Sequence, residues 1–333
     1  MNSYERYAAM AEGKPVDCLP RVPILMHFAA AHIGATYAGF ARDYRVLVEA
    51  NTRLVEEYGF DQLDIMSDPF RETADFGGEL EYLDDTVPRC TRPPLCDSKD
   101  PGLLSEVDPR TAPRMRNALQ ALEAFREYGW RRYSITGWVE GPAAEAADVR
   151  GVSAFLMDLL TDEAFACALM DRVLDTAIAF ARLQVETGAD TIGVGDAIAS
   201  QLSPDLYERL VLPREKKLVD AIHDAGAWVR LHICGDITAL LPHIATLGVD
   251  ILDCDWMVDL SEARRHMGGK TVLTGNLDPV RAVMDSTPER IRAALLEAYA
   301  QAGNPYFVNA GCEIPAGTPE ENLRALCEPI VPG

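Results

Sequence analysis

A histidine and two cysteines have the residue types and the spacing of zinc ligands. His232 and Cys234 lie one residue apart at the end of the apolar run that begins at Trp228. Alternate side chains of a strand point to the same face, so the imidazole and the thiol are expected to point the same way. The best candidate for a third ligand is Cys312, which also follows an apolar, strand-like run. Three such ligands leave the fourth zinc position open, which is typical of a catalytic site.

Acidic side chains follow other apolar runs and are candidates for catalysis. Asp68, Glu140 and Asp196 each stand where a predicted strand gives way to a loop. We predict catalytic roles for these three carboxylates, although Asp196 could instead form a polar wall or anchor a loop. Glu140 and Glu313 could also supply the fourth metal ligand or support the other ligands from behind.

Eight strand-like runs alternate with helical patterns, and each of these candidates follows such a run. The runs lie at residues 21–28, 62–66, 132–137, 191–196, 228–234, 249–254, 271–274 and 306–309. This alternation predicts an α/β fold, a single domain of residues 1–333 built as a (β/α)8 barrel with one catalytic face at the carboxyl ends of its strands. N-terminal helices precede the barrel, and a Pro-rich insertion at residues 70–113 follows the second strand. The rival is an open doubly wound sheet, in which the ends of the fifth and eighth strands would not obviously meet.

The charge balance excludes several classes of partner. The chain has 31 basic and 52 acidic residues, a net charge of −21, whereas nucleic acids and anionic membranes require a basic face. The N-terminal residues have no apolar signal-peptide core, and no run approaches the ~20 apolar residues of a membrane span. Eight scattered cysteines in a chain of 333 residues are not a disulfide framework. We therefore expect a cytoplasmic protein, and its oligomeric state stays open.

Five short motifs occur in an order that resembles the uroporphyrinogen decarboxylase superfamily. They are SDP at 67–69, a Gly-Pro loop at 141–142, HICG at 232–235, TGNLDP at 274–279 and GCEIP at 311–315. Within the superfamily, the H-x-C pair with a distant cysteine resembles the zinc-dependent corrinoid methyltransferases. This resemblance covers nearly the whole chain and implies a TIM barrel. It assigns His232, Cys234 and Cys312 as ligands of Zn²⁺.

The sequence departs from the decarboxylases themselves at the first strand. Their arginine-rich motif, Arg-Gln-Ala-Gly-Arg, holds the carboxylates of a tetrapyrrole, whereas residues 26–34 here read MHFAAAHIG. No arginine lies between Arg21 and Arg42, and a ligand with many carboxylates needs bidentate cations. Asp68 does match the decarboxylases' catalytic aspartate, so a tetrapyrrole lyase stays as the alternative function.

The resemblance implies a zinc-dependent methyltransferase that moves a methyl group between a small substrate and a corrinoid. The substrate would be a methoxy or methylated compound or a thiol, and the zinc site suits both directions of transfer. The corrinoid, a cobalamin, is expected on a separate partner protein, because no D-x-H-x-x-G corrinoid motif occurs here. We predict that His27 and Asn276 bind this cofactor; His27 could instead contact the substrate, and Asn276 could tie down the seventh loop. A non-catalytic corrinoid-binding relative is the other alternative.

Overall fold

A curled sheet of seven parallel strands forms the centre of this computed structural model, which describes residues 1–332. Residue 333, the last of the predicted domain, lies outside the described residues. The strands are β1 (Gln62–Asp64), β2 (Glu79–Glu81), β3 (Arg89–Arg92), β4 (Ser134–Glu140), β5 (Thr191–Gly195), β6 (Trp228–His232), β7 (Ile251–Cys254), β8 (Val272–Gly275) and β9 (Tyr306–Phe307). The parallel sheet has the order β1-β4-β5-β6-β7-β8-β9, and β2 and β3 form a separate antiparallel hairpin.

Burial on both faces explains why the central strands read as apolar runs. Every residue of β4, β5, β7 and β8 is buried, and in β6 only Trp228 is partly exposed. Parallel sheets covered by helices on both faces have this pattern, since neither face of the strand meets water. The prediction of an α/β fold with parallel strands is confirmed.

The first predicted strand, residues 21–28, is wrong for most of its length. Pro20 and Pro23 have no N–H group to donate to a ladder, and a helix begins at His27. Only Arg21 forms a bridge, with Val308. The Arg21 carbonyl accepts a hydrogen bond of 2.8 Å from the Asp61 N–H on its other side. This short extended segment therefore contacts both ends of the sheet, next to β9 and next to β1.

Helices surround the sheet and connect successive strands. They are α1 (Ser3–Ala11), α2 (His27–His32), α3 (Tyr37–Arg42), α4 (Tyr44–Tyr58), α5 (Arg71–Asp75), α6 (Pro113–Gly129), α7 (Pro142–Arg150), α8 (Val152–Thr161), α9 (Glu163–Thr187), α10 (Pro204–Leu206), α11 (Leu212–Ala225), α12 (Leu241–Ile244), α13 (Leu260–Met267), α14 (Pro288–Ala302) and α15 (Glu320–Leu326). Short 3₁₀ turns (Pro101–Leu103, Ala197–Gln201, Thr238–Leu240) and π-helical turns (Tyr207–Val211, Pro279–Met284) lie between them. Within residues 1–332, no helix combines the length and the apolar character that crossing a membrane requires.

The segment predicted as a Pro-rich insertion, residues 70–113, is more ordered than its many prolines suggest. It contains helix α5, the hairpin β2–β3 and a 3₁₀ turn. The buried guanidinium of Arg71 attaches the segment to the sheet by donating to the carbonyl oxygens of Ile65 (3.0 Å) and Trp138 (3.2 Å). The segment therefore packs beside the carboxyl ends of β1 and β4, where side chains of the predicted site lie.

Candidate metal centre and its pocket

His232, Cys234 and Cys312 form one cluster at the carboxyl ends of the strands. The Nε2 atom of His232 lies 3.1 Å from the Cys234 sulfur and 3.8 Å from the Cys312 sulfur. The two sulfur atoms are 3.8 Å apart. These are the three residues that the sequence singled out, and the curl of the sheet brings the loop after β9 to the end of β6.

The distances in this cluster fit a tetrahedral zinc ion. Two Zn–S bonds of about 2.3 Å at a tetrahedral angle place the sulfur atoms about 3.8 Å apart. One imidazole nitrogen and two thiolates are also a ligand set that zinc takes in catalytic sites, with a fourth position left for water or substrate. Among the described residues, this is the one group of three or more metal-binding side chains close enough to share an ion.

Asp253 orients the histidine of the cluster. The register of β6 and β7 pairs His232 with Asp253, and His232 Nδ1 lies 3.0 Å from Asp253 Oδ2. Arg230 donates its Nε–H to the same carboxylate at 2.9 Å. Burial alone would raise the pKa of Asp253, but the Arg230 charge and the His232 hydrogen bond outweigh burial and lower it. An ionised Asp253 keeps a proton on Nδ1, so Nε2 faces the cysteines as a metal ligand.

The two thiols have opposite shifts in pKa because they share a hydrogen bond. A hydrogen bond between the two sulfur atoms, in which either can be the donor, lowers the pKa of Cys312 to about 4, with a further contribution from His232 and against the opposing effect of burial. The same bond, together with burial, raises the pKa of Cys234. Cys312 is therefore the more acidic of the two thiols. Binding of a metal would displace the proton that remains on the other sulfur.

Close backbone packing lets the Cys312 loop reach β7. A Cβ atom at position 311 would lie 2.7 Å from the backbone nitrogen of Trp256, so only glycine fits there. On the other side of the cluster, the Asp255 carboxylate accepts the Gly235 N–H at 2.7 Å and fixes the turn that follows Cys234. Two loops from distant parts of the chain are thus held against each other beside the sulfur atoms.

A cavity of about 170 Å³ opens beside the cluster. Its walls are largely apolar, with three carboxylic side chains among them. They are formed by Ile24, Met26, Met66, Asp68, Pro69, Trp138, Glu140, Gly195, Ala197, Glu313 and the three cluster residues. Asp68 and Glu140, two of the three predicted catalytic carboxylates, therefore face the same space as the candidate metal centre.

Trp138 forms one wall of this cavity because glycine stands behind it. A Cβ atom at position 193 would lie 1.8 Å from the indole ring, so Gly193 leaves the space that the ring fills. Gly195, two residues further along β5, is less crowded, since a Cβ atom there would lie 3.3 Å from the indole nitrogen of Trp138 and 3.4 Å from a carboxylate oxygen of Glu140. The indole ring centre is 6.3 Å from that of His232.

Asp68 lies on the cavity wall in a buried ion pair. Its Oδ2 atom accepts hydrogen bonds from Arg114 Nη2 at 2.5 Å and from Ser67 Oγ at 2.9 Å. Arg114 comes from α6 and also donates to the hydroxyl of Tyr82 in the segment after β1. The carboxylate is thus held in one orientation by a charge that does not itself line the cavity.

Glu140 belongs to a group of buried acidic side chains behind the cavity. The pKa of Glu140 is raised well above its usual value by burial first and then by neighbouring carboxylates, with partial compensation from Arg71. The other acidic members of this group are Glu72, Glu145, Asp148, Asp196 and Glu215, and the pKa of each is raised chiefly by burial. Glu140 is the member of this group that lines the cavity.

Asp196 points away from the cavity, toward the beginning of α7. Its two oxygens accept the N–H groups of Ala143 (3.2 Å) and Ala144 (2.7 Å), and the side chain is fully buried. Burial raises its pKa to about 7, against these hydrogen bonds. This placement agrees with the alternative interpretation of Asp196 as a loop anchor; a direct catalytic role stays a prediction.

His27 and Asn276, predicted to bind the cofactor, lie around the cavity but do not line it. The backbone N–H of His27 donates to Glu313 Oε1 at 2.7 Å, and its Nε2 is 2.8 Å from the carbonyl oxygen of Asp85. The Asn276 amide donates to the carbonyl oxygens of Asp255 (2.7 Å) and Val258 (2.8 Å). Asn276, which itself lies in the loop after β8, thus holds the loop after β7. Cofactor binding by His27 and Asn276 stays a prediction.

Sequence reasoning missed three residues that shape the site: Trp138, Asp253 and Arg114. Strand β4 was predicted to end at residue 137, but it continues to Glu140, which places Trp138 on the same side of the strand as Glu140. Asp253 lies near the end of the apolar run 249–254, one strand along the chain from His232, and this position is the available signal. Arg114 had no signal, because its partner lies 46 positions away.

Comparison with known proteins places these features in a family. The model of the uroporphyrinogen decarboxylase (URO-D) family matches residues 2–330. The chain belongs to this family. It is 34% identical over 217 residues to the methylcobamide:CoM methyltransferase MtbA of Methanosarcina mazei, covering 65% of this chain and 63% of that relative. The chain thus spans less than two thirds of the length of this methyltransferase.

Other members of the family match over almost the whole chain. A uroporphyrinogen decarboxylase from Gloeobacter violaceus is 28% identical over 338 residues, covering 96% of this chain and 95% of that protein. A solved methyltransferase from Methanosarcina mazei superposes with a TM-score of 0.90 at 23% identity, covering 98% and 97% of the two chains. The fold is therefore that of the URO-D family, and the predicted resemblance to it and to its methyltransferase branch is confirmed.

Proposed function

We propose that this chain is a zinc-dependent methyltransferase that moves a methyl group between a small substrate and a corrinoid carried by a separate protein. The observation that carries the proposal is the His232–Cys234–Cys312 cluster, with ligand spacing suited to zinc and an open cavity beside it. The similarity to methylcobamide:CoM methyltransferases supports it. The cluster would hold the metal through one imidazole nitrogen and two sulfur atoms.

Zinc bound here would act as a Lewis acid, either lowering the pKa of a substrate thiol or polarising the oxygen of a methyl ether. The chain's own residues set the conditions for this chemistry. Asp253 and Arg230 hold the imidazole in one orientation. Trp138, with the other apolar walls, excludes water from the reacting atoms and strengthens the electrostatic interactions between them.

Glu140 would handle the proton that methyl transfer requires. Transfer from a methyl ether to cobalt(I) leaves an oxygen that needs a proton, and transfer to a thiol releases one. The Glu140 carboxyl lines the cavity, and its raised pKa favours the protonated form. It would therefore donate a proton to a leaving oxygen. The buried carboxylic groups behind it would accept protons from Glu140 or donate protons to it.

Asp68 and Asp196 would contribute by positioning. Asp68, fixed by Arg114, presents one carboxylate edge to the cavity beside the substrate. Asp196 holds the first turn of α7 and, through Gly141, the loop that follows Glu140. His27 would position Glu313, whose carboxylate accepts the backbone N–H of His27. Asn276 would position the loop after β7, which lies against Gly311.

A tetrapyrrole lyase is the second candidate, because uroporphyrinogen decarboxylases match nearly the whole chain and Asp68 lines the cavity. The cavity argues against it. No lysine or arginine is among the described residues that line it. A tetrapyrrole with several carboxylates would enter a pocket of about 170 Å³ without a cation to meet it.

The direct test is a spectroscopic methyl-transfer assay. Protein restored with zinc is mixed with a reduced corrinoid carrier and methyl ethers, or with methylcobalamin and thiols, and the change in corrinoid absorbance is followed. We expect transfer by the wild-type protein, loss of transfer in Cys312→Ser, and unchanged transfer in Cys167→Ser, which alters a cysteine of similar exposure on α9. Formation of coproporphyrinogen from uroporphyrinogen, with no corrinoid reaction, would replace this proposal with the second candidate.

A further inference from the structure

No lysine or arginine is among the described residues that line the cavity beside the metal centre. Apart from the three cluster residues, six of its wall residues are apolar: Ile24, Met26, Met66, Pro69, Trp138 and Ala197. Gly195 adds backbone only, and the remaining walls are Asp68, Glu140 and Glu313. Any part of a substrate that points away from the metal therefore meets hydrocarbon, an indole ring or a carboxylic group.

The carboxylic groups of the wall are already engaged by the protein. Asp68 is neutralised by Arg114 at 2.5 Å. Glu313 accepts the backbone N–H of His27 at 2.7 Å. Glu140 is buried among other acidic side chains, and burial and these neighbours raise its pKa well above the usual value. None of the three can pair with a negatively charged substrate group.

The cations nearest to the cavity are also engaged. Arg114 donates to Asp68 and to the Tyr82 hydroxyl. Arg71 donates to the carbonyl oxygens of Ile65 and Trp138 and to the hydroxyl of Ser67. An anionic substrate group would be buried without a partner, which is strongly unfavourable.

We propose that the substrate of this chain carries an uncharged, apolar group on its reacting sulfur or oxygen atom, and that thiols or ethers with an anionic far end are excluded. This inference rests on the proposed function, since it concerns the same cavity. An alkyl thiol and a methoxy-substituted aromatic ring share this chemistry. The flexible side chains of Met26 and Met66 adapt to either shape, and the Trp138 ring offers an aromatic face for stacking.

The test compares thiols of similar size that differ in charge, together with one neutral ether. Zinc-restored protein is titrated calorimetrically with 1-propanethiol and 2-sulfanylethanesulfonate (coenzyme M), and separately with methoxybenzene. We expect the neutral thiol to bind at least about tenfold more tightly than the sulfonate. Binding of methoxybenzene as well would identify the ether as a ligand, and its absence would restrict the class to thiols. Equal or tighter binding of a charged thiol, or no binding of any neutral compound, would overturn the inference.

A charge placed in the wall provides a second test. Met66→Arg should increase the affinity for 2-sulfanylethanesulfonate at least about fivefold and weaken the binding of 1-propanethiol, because it supplies the missing cation. Met157→Arg, on the exposed side of α8, should change neither. If Met66→Arg does not fold, the affinities of the wild-type protein for the neutral and the charged thiol still test the inference. Binding of neutral thiols without corrinoid methyl transfer would contradict the proposed function alone, whereas preferred transfer to the sulfonate would contradict only the substrate class.

Discussion

His232 and Asp253 are neighbours across the β6–β7 pair, and a hydrogen bond of 3.0 Å joins Nδ1 of the imidazole to Oδ2 of the carboxylate. The same carboxylate accepts from the fully buried Arg230. A ligand supported in this way keeps its tautomer and its direction before any metal arrives. Buried residues of the sheet therefore position the candidate metal centre, together with the loops that carry the cysteines.

Asp253→Asn should weaken zinc binding by about 10- to 100-fold. An amide in place of the carboxylate no longer requires the Nδ1 proton, so Nε2 is less available to the metal. It also leaves the buried Arg230 without its charge partner, which should lower the free energy of unfolding by about 3–5 kcal/mol. Zinc affinity is measured by competition with a chromophoric chelator. Asp220→Asn, on the exposed side of α11, is the control, and unchanged zinc affinity in Asp253→Asn would contradict the orienting role.

Gly193→Ala should displace the Trp138 ring from the cavity wall. The added Cβ atom would lie 1.8 Å from the indole, and the overpacking should cost about 1–3 kcal/mol of stability. We expect a shift in tryptophan fluorescence and weaker substrate binding with zinc content unchanged. Gly269→Ala has open space around its new methyl group and should show none of these effects. Normal fluorescence and substrate affinity in Gly193→Ala would mean that Trp138 does not form the wall described here.

Glu140→Gln should slow methyl transfer from ethers by about 100-fold at neutral pH, because the amide cannot give a proton to the leaving oxygen. The zinc content should not change, since Glu140 is not among the clustered ligands. Glu145→Gln is a matched control, because it replaces another buried carboxyl of raised pKa that does not line the cavity. Equal rates in the two variants would remove Glu140 from the proton step.

Asp148→Asn should stabilise the protein at alkaline pH. Burial, followed by the charges of Glu72, Asp196 and Asp68, raises the pKa of Asp148 to about 8 from a usual value of 3.8. The folded state then keeps a proton that the unfolded state loses, so stability falls as the pH rises from about 4 to about 8. The asparagine variant lacks this penalty and should gain at least about 1 kcal/mol at pH 8 and nothing near pH 4. The measurement is thermal unfolding of both proteins across this pH range. If the pKa of Asp148 were not raised, the difference in stability between the two proteins would be the same at every pH.

The three candidate metal ligands were predictable because each depends on local pattern. The alternation of a strand places His232 and Cys234 on one side, and the count of strands predicts that β6 and the loop after β9 meet at the same face. The first strand was not predictable in this way. The run at residues 21–28 resembles a buried strand, but the missing N–H groups of Pro20 and Pro23 and the helix at His27 leave one bridge at Arg21.

Partners from distant parts of the chain explain what the sequence did not reveal. Asp253 contacts His232 because the register of β6 and β7 pairs the two residues. Arg114 contacts Asp68 from α6, 46 positions further along the chain. Gly193 leaves room for the Trp138 ring, a reason that becomes visible only when β4 and β5 lie side by side.

The central claim is that His232, Cys234 and Cys312 together hold one zinc ion with an open fourth position. X-ray absorption at the zinc edge, on protein restored with one equivalent of metal, tests it most directly. The structure predicts two sulfur neighbours at about 2.3 Å and nitrogen or oxygen neighbours at about 2.0 Å, with one sulfur lost in Cys234→Ala and none lost in Cys167→Ala. A spectrum without sulfur neighbours, or a protein that retains no zinc, would contradict the claim.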